Sequence, residues 1–208
     1  MKWLYLYEKR IHITYLVLSC VVFIWAMYKP NDVFGWFMLM LPALIIVICL
    51  VATYKKYQFT TLTYSVVLVH IVILLIGAKY TYTHNPLFDE LTPIFGFARN
   101  HFDRVGHFFQ GFAPVLMVRE FMLRRGYMKK SKFFYLTVIF FVLAISASWE
   151  LLEFICTVIT NKPAEYVLST QGDMWDSHMD MLLAIIGALS SLVIFSKLQD
   201  KEIERHVK

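Results

Sequence analysis

Apolar residues in this chain are gathered into long blocks that are separated by shorter polar segments. A helix needs about 20 mostly apolar residues to cross the hydrocarbon core of a bilayer, and the blocks reach that length. The pattern therefore predicts an all-α polytopic membrane bundle of six transmembrane helices, with residues 1–208 as a single transmembrane domain. The predicted helices cover residues 11–28, 34–54, 59–79, 102–123, 133–160 and 179–198.

The overall composition supports a membrane protein and argues against a nucleic-acid-binding one. Of the 208 residues, 59% are apolar and 17% are charged, whereas soluble domains have about 45–50% apolar and about 25% charged residues. The net charge of +5 comes from Lys and Arg beside the apolar blocks, where membrane proteins usually carry them. Three cysteines without a CxxC spacing predict neither a disulfide framework nor a zinc site. The lipid bilayer is the expected partner.

The distribution of Lys and Arg between alternate connections predicts the orientation. Five lie on one side: Lys29, Lys79, Arg99, Arg104 and Lys162. The other fifteen lie in both terminal segments, near residues 55–56 and between residues 119 and 132. Because cytoplasmic segments retain positive charge, we predict that both termini are cytoplasmic.

Polar residues with helical spacing mark three of the segments, and residues three or four apart share one helix face. The fourth helix carries Asp103, His107, Gln110 and Pro114; the fifth carries Ser146, Glu150, Glu153 and Thr157; the approach to the sixth carries Asp173, Asp176 and Asp180. A seam of small residues follows in the sixth helix, suited to close helix packing: Ala184, Gly187, Ala188 and Ser191.

In the predicted orientation all three stripes reach a similar depth near the extracytoplasmic face. Six acids would meet in one pocket: Asp103, Glu150, Glu153, Asp173, Asp176 and Asp180. The nearby formal positive charges are three, namely Arg99, Arg104 and Lys162. Buried carboxylates must line a cavity, pair or be neutralised, so the excess requires protons, a metal ion or a cationic ligand.

The residues of these stripes resemble a known family over the whole chain. The segments at residues 99–108 (RNHFDRVGHF), 150–153 (ELLE) and 170–176 (TQGDMWD), with Asp180, look like the YjdF-like inner-membrane proteins of bacteria, for which no activity is established. The resemblance implies a multi-pass protein of the bacterial inner membrane. A more distant similarity is to VanZ-like membrane proteins, which are associated with glycopeptide resistance. It covers residues 103–108, a glutamate at 150 or 153, and Asp180 ahead of Gly187.

The first functional hypothesis is a metal-dependent hydrolase of a lipid or lipid-linked head group. Carboxylates with histidine suit Mg²⁺, Mn²⁺ or Zn²⁺, and the bound metal would activate water. The expected ligands are Asp103, His107, Glu150, Asp176 and Asp180. Glu153 or His101 would be the general base, and Arg104 would hold a phosphate.

Two other functions stay open at this point. One is a non-catalytic membrane factor whose acidic pocket is structural or binds a partner. The other is a proton- or cation-coupled transporter, since intramembrane acids form proton relays. Against transport, the inner halves of the helices are expected to carry few polar residues, and no paired broken helices of an inverted repeat are visible.

Overall fold

A computed structural model describes residues 2–161 and 170–207, which form eight helices and no strand. The helices are α1 (Lys2–Met27), α2 (Val33–Thr53), α3 (Thr61–Tyr80), α4 (Pro86–Phe95), α5 (Phe102–Phe112), α6 (Pro114–Arg124), α7 (Lys132–Thr160) and α8 (Asp176–Val207). The predicted all-α class is confirmed. Lys162 and Lys208, used in the charge count, lie outside the described residues.

Five helices are long and apolar enough to cross a membrane: Leu6–Met27, Val33–Thr53, Thr61–Tyr80, Lys132–Thr160 and Asp176–Arg205. The predicted fourth span, residues 102–123, is divided at Ala113 into α5 and α6, each 11 residues long. Pro114 opens α6, where its missing backbone N–H removes one bond of the continuous helix. At 1.5 Å per residue each half is about 16 Å long, so only the two together match a bilayer core.

Both terminal helices are longer than predicted, and one helix was missed. α1 begins at Lys2 instead of residue 11, and α8 ends at Val207 instead of residue 198. Apolar pattern marks only the lipid-embedded part of a helix, and Lys, Glu and Leu continue it into water. The connection at 80–101 contains α4, which has Asn85 as its N-cap and Gly96 in the left-handed conformation, φ 65°, after its last residue.

Helices α3, α5 and α8 lie at the centre, with α1 and α2 against α3, and α7 against α6 and α8. The contact between α5 and α8 is made backbone to backbone at two glycines. A Cβ atom on Gly187 would lie 2.0 Å from the carbonyl oxygen of Phe108, and one on Gly111 would lie 1.8 Å from that of Ala184. The predicted small-residue seam thus lies in the α5–α8 contact, which holds the polar stripes of these two helices face to face.

The bundle is apolar outside and partly polar inside, as expected for a protein surrounded by lipid. Ile24 on α1 and Val158 on α7 are 67% and 63% exposed, whereas Asp180 and Arg119 are buried. His70, Ser146 and Ser191 are buried near the middle of their helices, and most other buried polar residues form two groups. One lies where α1, α3 and α7 end and α5 and α8 begin, which we call the site end; the other lies at the opposite end.

Candidate functional site

At the site end, four side chains from three helices form what we call the carboxylate–histidine cluster: Asp103, His107, Glu150 and Asp180. The Nε2 atom of His107 lies 3.5 Å from Asp103 Oδ1, 3.7 Å from Glu150 Oε1 and 3.9 Å from Asp180 Oδ2. One donor atom each from Asp103, His107 and Asp180 can be chosen so that all three lie within 4.8 Å of one another. All three residues are buried.

The geometry of the cluster follows from helix spacing and one hydrogen bond. Asp103 and His107 are four residues apart on α5 and therefore share a face. His107 Nδ1 lies 3.1 Å from the side-chain oxygen of Gln110, one turn further along. When Nδ1–H donates to that oxygen, the lone pair of Nε2 points toward the carboxylates, which is the arrangement a metal-binding histidine needs.

Two arginines lie beside the cluster and share its carboxylates. Arg99 donates to Asp176 and lies 3.6 Å from Asp103 Oδ2. Arg104 Nη2 lies 3.2 Å from Asp176 Oδ1, and its Nη1 lies 3.4 Å from Asp180 Oδ1. Since Asp176 contacts both guanidinium groups, it holds the two arginines together at the rim of the cluster.

The positive charges do not balance the negative ones in the described part of the chain. Arg99 and Arg104 face six carboxylates: Asp103, Glu150, Glu153, Asp173, Asp176 and Asp180. Glu153 lies one turn beyond Glu150 on α7 and interacts electrostatically with Glu150, Asp103 and Asp180. One further observation concerns Glu150, whose buried Oε1 has no hydrogen-bond partner among the described residues.

Outside the helices, the charges of Arg99 and Arg104 help to lower the pKa values of two side chains at the rim, Asp173 and His101. A hydrogen bond from the backbone N–H of Trp175, together with Arg104 and Arg99, lowers the pKa of Asp173. Arg104 Nη2 lies 2.8 Å from Asp173 Oδ2. Partial burial, and then the same two arginines, lower the pKa of His101, whose ring packs edge-on against Phe97 at 4.7 Å between centroids.

The structure brings some of the predicted site residues together more closely than others. Asp103, His107, Glu150 and Asp180 form the cluster, with Glu153 one turn away. Asp176 and Arg104 lie at the rim, where they contact each other and neighbouring charged side chains. His101 is next to this group in sequence, but its ring contact is with Phe97. The roles of ligand, base and phosphate clamp stay predictions.

Arg99 contacts three of the site's acids but was not among the predicted site residues. It is 8% exposed and contacts Asp103, Asp173 and Asp176. The signal was present in the sequence, since Arg99 precedes Asp103 by four residues, the spacing of a helical ion pair. The helix itself begins only at Phe102, so the spacing was hidden by the connection before it.

At the opposite end lies a second buried group, the Glu120 network, formed by Thr60, Thr63, Glu120, Arg124 and Gln199. Glu120 is fully buried and accepts from Thr60 Oγ1 at 2.8 Å, Thr63 Oγ1 at 2.7 Å and Arg124 Nη1 at 2.7 Å. Gln199 Nε2 donates to Thr63 Oγ1 at 2.9 Å. Buried polar residues therefore also lie at the end of the bundle opposite the cluster.

Fold and site together define a multi-pass helical membrane protein with a buried carboxylate–histidine cluster near one end. The chain belongs to the family described as "Predicted membrane protein (DUF2238)", which matches residues 11–201. It is 35% identical over 185 residues to the inner membrane protein YjdF of Escherichia coli (strain K12), a match that covers 89% of this chain and 88% of that protein. No solved structure matches the chain significantly. The YjdF-like resemblance is confirmed, and the VanZ-like similarity stays a prediction.

Proposed function

We propose that the carboxylate–histidine cluster binds a divalent cation and that the protein uses it to hydrolyse the head group of a membrane lipid or lipid-linked compound. The observation that carries the proposal is the convergence of three buried donors on one point, with the unpartnered Glu150 Oε1 beside them. A cation there would satisfy that oxygen and offset the excess of acids.

The distances fit a metal site. Around Zn²⁺, bonds of about 2.0–2.2 Å in a tetrahedron put ligand atoms about 3.4 Å apart. The His107–Asp103 and His107–Asp180 separations, 3.5 and 3.9 Å, are close to that value. Two or three carboxylates with one imidazole also suit Mn²⁺ or Mg²⁺, so the donor set favours these three ions without choosing between them.

In this proposal Asp103, His107, Asp180 and Glu150 are the metal ligands. The cation would lower the pKa of a bound water, and Glu153, one turn away on α7, would accept its proton. Hydrolysis would then join the water oxygen to the phosphorus of the head group and break the bond to the leaving oxygen, and Glu153 would pass the proton to that oxygen. Arg104 would release Asp173, its partly exposed ion-pair partner, and bind the phosphate in its place.

We change two of the roles that were expected from the sequence. We assign Asp176 to the positioning of Arg99 and Arg104, because its carboxylate already contacts both. His101 receives no role in the chemistry, since its ring packs on Phe97. Glu153 is preferred as the base because it lies one turn from Glu150 on α7, near enough to feel the charges of the cluster acids.

One observation favours the alternative of a non-catalytic pocket. Arg99 and Arg104 pair with Asp173, Asp176 and Asp180, which is how a purely structural ion network would look. In that case the remaining acids would be neutralised by protons, and no metal would bind. Metal binding therefore separates the two functions.

The test is the thermal stability of purified protein in detergent with added Mg²⁺, Mn²⁺ or Zn²⁺ or with a chelator, alongside its metal content by mass spectrometry. A ligand that binds only the folded state stabilises it by about 2.7 kcal/mol at 100 times its dissociation constant. We expect the melting temperature to rise with one of these ions, and Asp180→Asn to abolish the response.

Asp200→Asn is the matched control, because Asp200 is also on α8 and paired with an arginine, Arg119 at 2.6 Å, but lies at the opposite end. It should lower the baseline stability and keep the metal response. A wild-type protein that holds no stoichiometric metal and melts identically with ions and chelator would exclude the metalloenzyme and leave the structural function.

A further inference from the structure

A groove of about 690 Å³ runs along the bundle between α2 and α7, with α3, α5 and α6 as its floor. Its walls are mostly apolar and include Ile45 on α2, Met117 on α6, and Phe141 and Ile145 on α7. Ile45 and Phe141 are 52% and 49% exposed, so the groove opens sideways, toward the surrounding lipid. A lateral opening within the spanning helices admits molecules from the bilayer.

One end of this groove reaches His107 of the carboxylate–histidine cluster. His107 lines the groove, and so does Gln110, which hydrogen-bonds to it. The groove therefore has polar side chains at the site end, with the carboxylates next to His107, and mostly apolar walls beyond them. Such a shape fits a molecule with a polar head and an apolar tail.

The length of the apolar part matches one leaflet. From His107 to Val118 the floor follows 11 residues of helix, about 16 Å at 1.5 Å per residue. Half of a hydrocarbon core of about 30 Å is about 15 Å. A second cavity of about 480 Å³ continues the path, since it shares Met117, Val118 and Phe141 with the groove.

An independent observation points to a ligand in the groove. His70, on α3, lines it and is 3% exposed, and its Nε2 has no hydrogen-bond partner in the described part of the chain. A buried imidazole nitrogen without a partner is costly. The ester carbonyl of an acyl chain, placed between head group and tail, would accept a hydrogen bond from it.

We infer that this groove binds the acyl chain of an ester lipid of the adjacent leaflet, with the lipid's head group at the cluster. The inference names the substrate class of the proposed hydrolase and rests on it for the head-group end. The part of the inference that concerns the acyl chain rests only on the shape of the groove and on His70.

The experiment uses the full chain in nanodiscs with a phospholipid that carries a photoactivatable diazirine near the end of its acyl chain, and maps the labelled residues by mass spectrometry. We expect labelling at Met117, Val118 and Phe141. Ala144 lines the groove and is exposed, so Ala144→Trp should fill it and abolish this labelling. Leu151→Trp is the control, since Leu151 is 60% exposed on the same helix and is not among the lining residues.

Two outcomes would overturn the inference. Labelling spread over lipid-facing residues such as Ile24 and unchanged by Ala144→Trp would show only lipid at the protein surface. Labelling that a polyprenyl phosphate removes, but an unlabelled phospholipid does not, would assign the groove to an isoprenoid chain. The melting temperature of the same samples with and without metal tests the cation site separately from the groove. Groove labelling without a metal response counts against the cation site alone. A metal response without groove labelling counts against the groove alone.

Discussion

Glu120 is a fully buried carboxylate whose charge is satisfied by its neighbours. Besides the two threonine hydroxyls and Arg124, it accepts a hydrogen bond from the backbone N–H of Thr60 at 2.9 Å. The Glu120 network thus joins the start of α3 to α6, and Gln199 extends it to α8. A buried polar group stabilises the bundle when its hydrogen bonds are satisfied, as those of Glu120 are, and destabilises the bundle when they are not.

Replacing Glu120 with Ala should strongly destabilise the protein. The substitution removes an acceptor from Arg124 and from four other donor groups, on Thr60, Thr63 and Gln199. Breaking a buried ion pair from one side costs roughly 3–5 kcal/mol. The free energy of unfolding in detergent is the quantity to measure. Glu204→Ala, at an exposed position of α8, should stay within about 0.5 kcal/mol of wild type. Equal effects of the two changes would contradict a stabilising Glu120 network.

Among single residues, the sequence predicted the site residues that share a helix face, and it missed the contacts between residues far apart in the chain. Asp103 and His107 were found because they are four residues apart on one helix. Arg99 was counted as a nearby charge but given no role in the site, and Glu120 was missed, for different reasons. Arg99 lies before the helix begins, and Glu120 is a single acid among basic residues, which in sequence is typical of a solvated membrane rim. Its partners, Thr60 and Gln199, are 60 and 79 residues away.

Among the elements, α5 and α8 matter most to the site, because they carry three of its four cluster residues. Their backbones approach at Gly111 and Gly187, where there is no space for a Cβ atom. The depth at which Asp180 meets His107 is therefore set by two glycines several residues away.

Gly187→Ala should separate α5 from α8, since its Cβ would lie 2.0 Å from the backbone oxygen of Phe108, which cannot turn aside. Overpacking usually costs about 1–3 kcal/mol, and a backbone neighbour puts the expected loss at the upper end. The measurement is unfolding in detergent. Gly35→Ala is the matched control: its nearest neighbour is the Asp32 carboxylate, a movable side chain. A Gly187→Ala protein as stable as Gly35→Ala would refute the close packing.

Element boundaries show why hydropathy is a partial guide. Three predicted spans agree with α2, α3 and α7 to within two residues, because in those helices the apolar block is the helix. α1 and α8 continue past their apolar blocks. α4 was missed although Asn85, Pro86 and Gly96 mark its ends, since a 10-residue helix is too short for a search based on membrane-spanning length.

The molecule as a whole has a polar group at each end and a mostly apolar middle, which also contains His70, Ser146 and Ser191. Between the cluster and the Glu120 network, α6 contributes Val115 and Leu116, both fully buried. A continuous polar path between the ends would need to pass such residues, so the arrangement favours a site that acts from one side over a conducting pathway. The side from which it acts depends on the orientation of the chain.

The orientation prediction follows from fifteen Lys and Arg residues against five. Reporter fusions after residue 127 and after the C-terminus should be active only as cytoplasmic reporters, such as a fluorescent protein. A fusion after residue 83, in the connection between α3 and α4, should be active only as an exported phosphatase. Because α5 and α8 begin at the same end of the bundle as that connection, the third result also places the cluster on the extracytoplasmic side. The reverse pattern would put the cluster and the lipid groove in contact with the cytoplasmic leaflet, and the head groups expected at the site would then be those of that leaflet.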